Sequence, residues 1–207
     1  MIDRKKRELP IVHERRLRDP SRLFKVEQLD LEFANGARRT FERMKASGLG
    51  AVIIVPMRDD ETVLLVREYA AGLHHYEIGL PKGRLEEGES VLEGAERELK
   101  EEIGFGARNL LELTRLSLAP GYMTHVTRVV LARDLYPEKL PGDEPEELEV
   151  VPWPIDDLLT ITAREDCTEG RSIAALYIAR DFLAAEKQKR KHALENDTSQ
   201  ASKKDSS

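Results

Sequence analysis

The chain has only one cysteine and one tryptophan in 207 residues. A lone Cys167 excludes an internal disulfide framework and points to a reducing, cytoplasmic setting. No apolar run approaches the roughly 20 residues that span a bilayer, so a membrane partner is not expected. The first residues are charged and lack the apolar core of a secretory signal. Positive charge is also in deficit, with 33 Lys and Arg against 39 Asp and Glu and a net charge of −6. General nucleic-acid binding is therefore not expected. Internal repeats are absent. The length suits one domain with a substantial core and small additions.

What is present is concentrated between Gly83 and Phe105, in GRLEEGESVLEGAERELKEEIGF. Ser90 followed by Glu93 is a capping box, which starts a helix just after Ser90. Gly104 stands where a helix needs a left-handed residue to stop. Leu92, Ala95, Leu99 and Ile103 recur at helical spacing and predict the inward face. Glu98, Glu101 and Glu102 share a second face at i, i+3 and i+4. Three like charges so placed repel unless a cation neutralises them. Hard divalent cations take oxygen ligands, and Mg²⁺ prefers a few carboxylates plus substrate phosphates. The loop Pro81-Lys82-Gly83 offers a backbone carbonyl beside them. For RELKEE alone, a solvated helix with the pairs Glu93–Arg97, Arg97–Glu101 and Glu96–Lys100 explains the residues as well. The added spacing of Gly83, Glu89 and Gly104 favours a metal site.

Elsewhere the pattern predicts an N-terminal arm over 1–20 with solvated charges and a β-hairpin over 21–46. In that hairpin, Phe24 and Val26 lie on one phase and Leu29, Leu31 and Phe33 on the other, which predicts a bulge or bend. Asn35-Gly36 marks the turn. Strands follow at 51–57 and 62–68, divided by the Asp59-Asp60 turn, with a short one at 76–80. After the box helix come strands at 110–118, 125–132 and 148–151. A helix is expected from Pro154 through Leu159, and a long one over 171–187 with Ile173, Leu176, Tyr177 and Ala184 inward. Residues 188–207, lysine-rich and then Ser/Asp/Lys-rich, read as a disordered tail. Mixed strands with helices on both faces give an α/β/α sandwich over 47–187.

Gly83, Glu89, Arg97, Glu98, Leu99, Glu101, Glu102, Gly104 and Phe105 match the Nudix box position for position. At average residue frequencies, chance agreement is on the order of one in ten million. The chain is thereby identified as a member of the Nudix hydrolases, whose fold is such a sandwich with mixed sheets. The segments SRLFKVEQLDLEFANG, VREYAAG, LAPGY and DLYPEKLPGDEPE extend the likeness over most of 21–183, to the branch that cleaves ADP compounds.

That resemblance implies Mg²⁺-dependent hydrolysis of the pyrophosphate in ADP-X compounds, with Mn²⁺ as an alternative ion. ADP-ribose, NADH and diadenosine polyphosphates are the implied substrates, releasing AMP or related nucleotides. Alternatives are a Nudix pyrophosphatase for coenzyme A or capped RNA, and a non-catalytic ligand sensor. Sensors commonly lose box carboxylates, and none is missing here. The resemblance makes Glu98 and Glu102 the principal metal ligands, Glu101 the accompanying acid, and Lys82 a carbonyl donor to metal. Arg97 orients the box carboxylates, and Glu89 pairs with a basic residue. A late acidic loop supplies the base, and Glu144 or Glu146 suits that role; an acidic surface loop explains them equally. Arg67 and Tyr69 are candidates to hold phosphate and stack adenine; an ion pair with Glu68 or Glu77 explains Arg67 equally. Tyr122, in Pro120-Gly121-Tyr122, is a further stacking candidate. His74 and His75 read as an exposed turn, since imidazole suits softer metals. Ala70 stands where the ADP-ribose pyrophosphatases carry an arginine, and the segment between Glu77 and Gly83 is longer than theirs. The hairpin implies a homodimer.

Overall fold

A computed structural model describes residues 11–17, 25–46 and 48–204, without the side chains of Leu17 and of 194–204. Parts of the predicted arm and hairpin, Phe24 among them, and the last three residues of the tail lie outside the described residues.

Strands β1 (Ile11–Leu17), β2 (Lys25–Glu32) and β3 (Arg38–Lys45) form one antiparallel sheet in the order β1-β2-β3. The expected division into arm and hairpin is corrected here. Part of the arm pairs with the free edge of β2, where unpaired backbone groups invite a third strand. The expected bulge is also relocated. The β2–β3 register is regular, and the irregularity falls in β1 between Val12 and Glu14. The turn is where Asn35-Gly36 predicts it: Gly36 has φ +79°, and the Asn35 side chain accepts from the Ala37 amide at 3.1 Å.

Two further sheets make the centre. Strands β4 (Ala51–Pro56), β7 (Lys82–Arg84), β8 (Phe105–Ser117) and β9 (Val126–Pro137) are ordered β7-β4-β9-β8, with β4 and β9 parallel. Strands β5 (Thr62–Ala70), β6 (His75–Gly79) and β10 (Glu149–Pro154) are ordered β10-β5-β6 and are antiparallel. Strand β4 is buried along its whole length because its alternate residues face two cores. Val52 and Ile54 pack with Leu64, Val66 and Val130 against helix α1 (Val91–Glu102) through Ala95 and Leu99. Ile53 and Val55 pack with Leu65 and Leu131 against helix α3 (Gly170–Lys204) through Ala175, Leu176 and Ala179. The result is the α/β/α sandwich expected.

Helix α1 begins at Ser90 with both bonds of the capping box, and Gly104 follows it at φ +75°. Leu92 departs from the predicted inward face and is 39% exposed; Val91 packs on the core beside it instead. Ala184 of α3 is likewise exposed. The helix expected from Pro154 is displaced: β10 runs through Pro154 in register with Thr62, and α2 spans Leu158–Thr162. Helix α3 continues to Lys204, which corrects the disordered tail. Once a helix is anchored by packing, a stretch rich in Ala, Lys, Gln and Glu propagates it at little cost. No helix among the described residues is long and apolar enough to cross a membrane.

Candidate active site

The site begins with a missing side chain. Gly83 of β7 lies opposite Val52 on β4, and α1 crosses close above it. A Cβ on Gly83 would stand 1.9 Å from Glu98 Oε1, so only glycine lets that carboxylate occupy its place. Glu98 and Glu102, one helical turn apart, are 8% and 7% exposed. Burial pushes the Glu98 carboxyl up despite the Arg97 guanidinium beside it. Burial, with Lys82 opposing and Glu98 and Glu68 reinforcing, pushes Glu102 up to about 8.

Arg97 holds the acids in register. Its Nε donates to Glu89 Oε1 at 2.7 Å, and its Nη1 donates to Glu98 Oε1 at 2.8 Å and Glu101 Oε2 at 2.9 Å. Its Nη2 donates to the Arg84 carbonyl at 2.9 Å and Glu89 Oε2 at 3.2 Å. A planar five-donor fork suits this task as a lysine would not. Lys82 contributes its backbone N–H, 3.4 and 3.3 Å from the two Glu102 oxygens, while its ammonium bonds Glu68 at 2.5 Å.

Gly83, Lys82, Arg97, Glu98, Glu101 and Glu102 line a cavity of about 970 Å³ together with Glu68, Asp143 and Glu144. Glu144 is exposed on its loop, and partial burial together with Glu68 and Asp143 pushes its carboxyl up. Glu146 lies outside that cavity. It lines an adjoining one of about 290 Å³ that shares Glu98, Glu101 and Glu102, and it accepts from the Tyr76 hydroxyl at 2.6 Å.

Three predicted substrate contacts are not brought to the cavity. Arg67 is the ion-pair partner of Glu149 at 2.9 Å and Asp166 at 2.7 Å, on the α3 side of β5. Its structural reading prevails, with partners other than the Glu68 or Glu77 expected. Tyr69 is exposed, bonding His74 at 2.5 Å and stacking edge-on with Tyr76. Tyr122 is 58% exposed, and its carbonyl accepts from the Met44 amide at 2.7 Å, tying the β8–β9 loop to the N-terminal sheet. His74 and His75 are exposed, as predicted. The cavity also contains Arg84, His125 and Arg171, which the sequence did not single out. The strand register that brings Arg84 and Thr127 onto one rung with Ala51 carries no local sequence signal.

Among the described residues, no three His, Cys, Asp or Glu side chains converge as a ready-made ligand cluster. The donor set nevertheless fits a hard divalent cation. Two buried carboxylates with raised proton affinity, and acids that outnumber the cations lining the same cavity, make an oxygen-rich site. Mg²⁺ needs one or two such carboxylates, the rest of its shell being water and phosphate.

The profile of the NUDIX domain matches residues 49–173, and that of the NudE-type Nudix hydrolase N-terminal domain matches 10–43. The chain is 50% identical over 163 residues to the ADP compounds hydrolase NudE of Escherichia coli (strain K12), covering 79% of this chain and 87% of that one. It is 30% identical over 149 residues to an ADP-ribose pyrophosphatase of Bacillus subtilis (strain 168), covering 71% and 80%. A crystal structure of an ADP compounds hydrolase superposes with a TM-score of 0.81 at 46% identity, covering 88% of this chain and 98% of that one.

Proposed function

The chain belongs to the Nudix family, and from that premise we propose that it hydrolyses the pyrophosphate bond of ADP-X compounds. The observation that carries the reading is the buried Glu98–Glu102 pair lodged over Gly83 in a large polar cavity. Relatives named as acting on ADP compounds and on ADP-ribose supply the substrate class. ADP-ribose, NADH and diadenosine polyphosphates are the compounds we assign, with Mg²⁺ as the ion and Mn²⁺ able to replace it.

Glu98 and Glu102 would hold the ion, Glu101 would accompany them, and the Lys82 carbonyl would complete the protein ligands. Such a cation, when bound, neutralises phosphoryl charge and lowers the pKa of water. Arg97 keeps Glu98 and Glu101 aimed by its two Nη1 bonds. Glu144, with its raised proton affinity, takes a proton from the attacking water. The water oxygen bonds to phosphorus, the bridging P–O bond breaks, and AMP leaves beside a phosphorylated X. Glu146, tethered by Tyr76, is the second candidate for that proton. The three-stranded N-terminal sheet, with Ile11 and Phe41 exposed, is the proposed homodimer contact. A cytoplasmic location belongs to the same proposal.

A substrate panel tests it. With Mg²⁺, ADP-ribose, NADH and diadenosine polyphosphates should each yield AMP or a related nucleotide. Cleavage confined to coenzyme A or capped RNA would overturn the assignment.

A further inference from the structure

Carboxylates are not the only charged groups lining the cavity; Arg84 and Arg171 line it too. Arg84 on β7 pairs with Ala51 on β4, and Ala51 pairs with Thr127 on β9, so the three form one rung across the sheet. The small Ala51 methyl leaves a gap between longer neighbours, and Ala51, Arg84, His125 and Arg171 all line the cavity. Arg171, at the start of α3, donates Nε to Glu169 at 2.7 Å. Its Nη1 lies 3.3 Å from His125 Nε2 and 3.4 Å from Thr127 Oγ1. A guanidinium only donates, so His125 Nε2 is the acceptor in that contact; the same nitrogen lies 3.1 Å from Thr127 Oγ1. Burial, Arg171 and Arg84 push the pKa of that imidazole down. Arg84 is exposed, and its guanidinium makes no ion pair among the described residues, only its carbonyl being engaged by Arg97.

We propose that Arg84, His125 and Arg171 form the subsite for the substrate phosphoryl group that the box carboxylates do not serve. The inference rests on reading the cavity as a diphosphate site. Two guanidinium groups beside an imidazole offer the kind of donors that phosphate oxygens take. A role for Arg171 in capping α3 does not account for the cluster. Glu169 already caps that helix through the Ser172 amide at 2.8 Å and hydroxyl at 2.9 Å. Arg84 caps nothing. Because this cluster attracts anions unaided, it should bind a phosphate monoester without any divalent ion, and should retain the phosphorylated product.

The test is calorimetric titration of the full chain, in chelator, with inorganic phosphate, AMP and adenosine. Wild type should bind phosphate and AMP. Arg84→Gln and Arg171→Gln should each weaken both by roughly tenfold or more, the scale of a lost charge-assisted hydrogen bond. Arg171→Lys should recover part of the loss, and adenosine should respond to none of these changes. Arg84, exposed and without an ion pair among the described residues, separates binding from folding. Phosphate and AMP affinities unchanged in both glutamine variants, or no binding by wild type, would overturn the subsite. Loss of hydrolysis of every ADP-linked compound in wild type would instead sink the functional reading, and the phosphate titration would still decide the subsite.

Discussion

Glu102 is the residue on which the electrostatics of the site turn. The residue is 7% exposed, and burial pushes its carboxyl up to about 8 from an ordinary 4.5. The folded chain therefore binds a proton that the unfolded chain releases. The stability that this proton contributes is complete below about 4.5 and is lost as pH rises through about 8. The slope between is at most about 1.4 kcal/mol per pH unit. In chelator, the melting temperature of wild type should fall between pH 5 and pH 8, and Glu102→Gln should flatten that fall. An unchanged slope in the variant would place the cost elsewhere. The box glutamates were legible in the sequence because helical spacing alone puts them on one face. Arg67 and Tyr122 were not, because which side of β5 faces the box, and where the β8–β9 loop docks, depend on strand pairings between distant residues.

At the scale of elements, the loop of Pro141 to Leu148 separates two roles. Glu144 reaches the main cavity and Glu146 is held at its neighbour by Tyr76. Glu144→Gln should lower kcat roughly a hundredfold, the usual scale of a lost general base. The same change should flatten the acidic limb of the pH–rate profile and leave KM nearly intact. Glu146→Gln should do less. A double variant with full kcat would mean that water is activated elsewhere in the site. Helix α1 was readable to the residue from its capping box and Gly104. Helix α3 was readable only where an apolar stripe marks it, and its extension to Lys204 follows from propensity without a stripe.

For the whole molecule, the unbroken apolar run of β4 agrees with a two-core sandwich, since a strand covered on both faces is apolar throughout. The N-terminal sheet was half legible: the Asn35-Gly36 turn announced β2 and β3, while charged Ile11–Leu17 resembled a solvated arm. That sheet exposes Phe41 at 43% and Ile11 at 62%, too much apolar surface for three strands to leave uncovered. Sedimentation at micromolar concentration should give a dimer; a monomer would contradict the proposed contact. The central claim, that the buried box carboxylates drive cleavage of ADP-X, has a more direct test. Turnover of ADP-ribose to AMP at saturating Mg²⁺ should fall roughly a thousandfold or more in Glu98→Gln, in keeping with several kcal/mol of lost charge stabilisation. Its melting temperature should stay at or above that of wild type, because a buried charge has been removed. A near-wild-type rate in that variant would contradict the account.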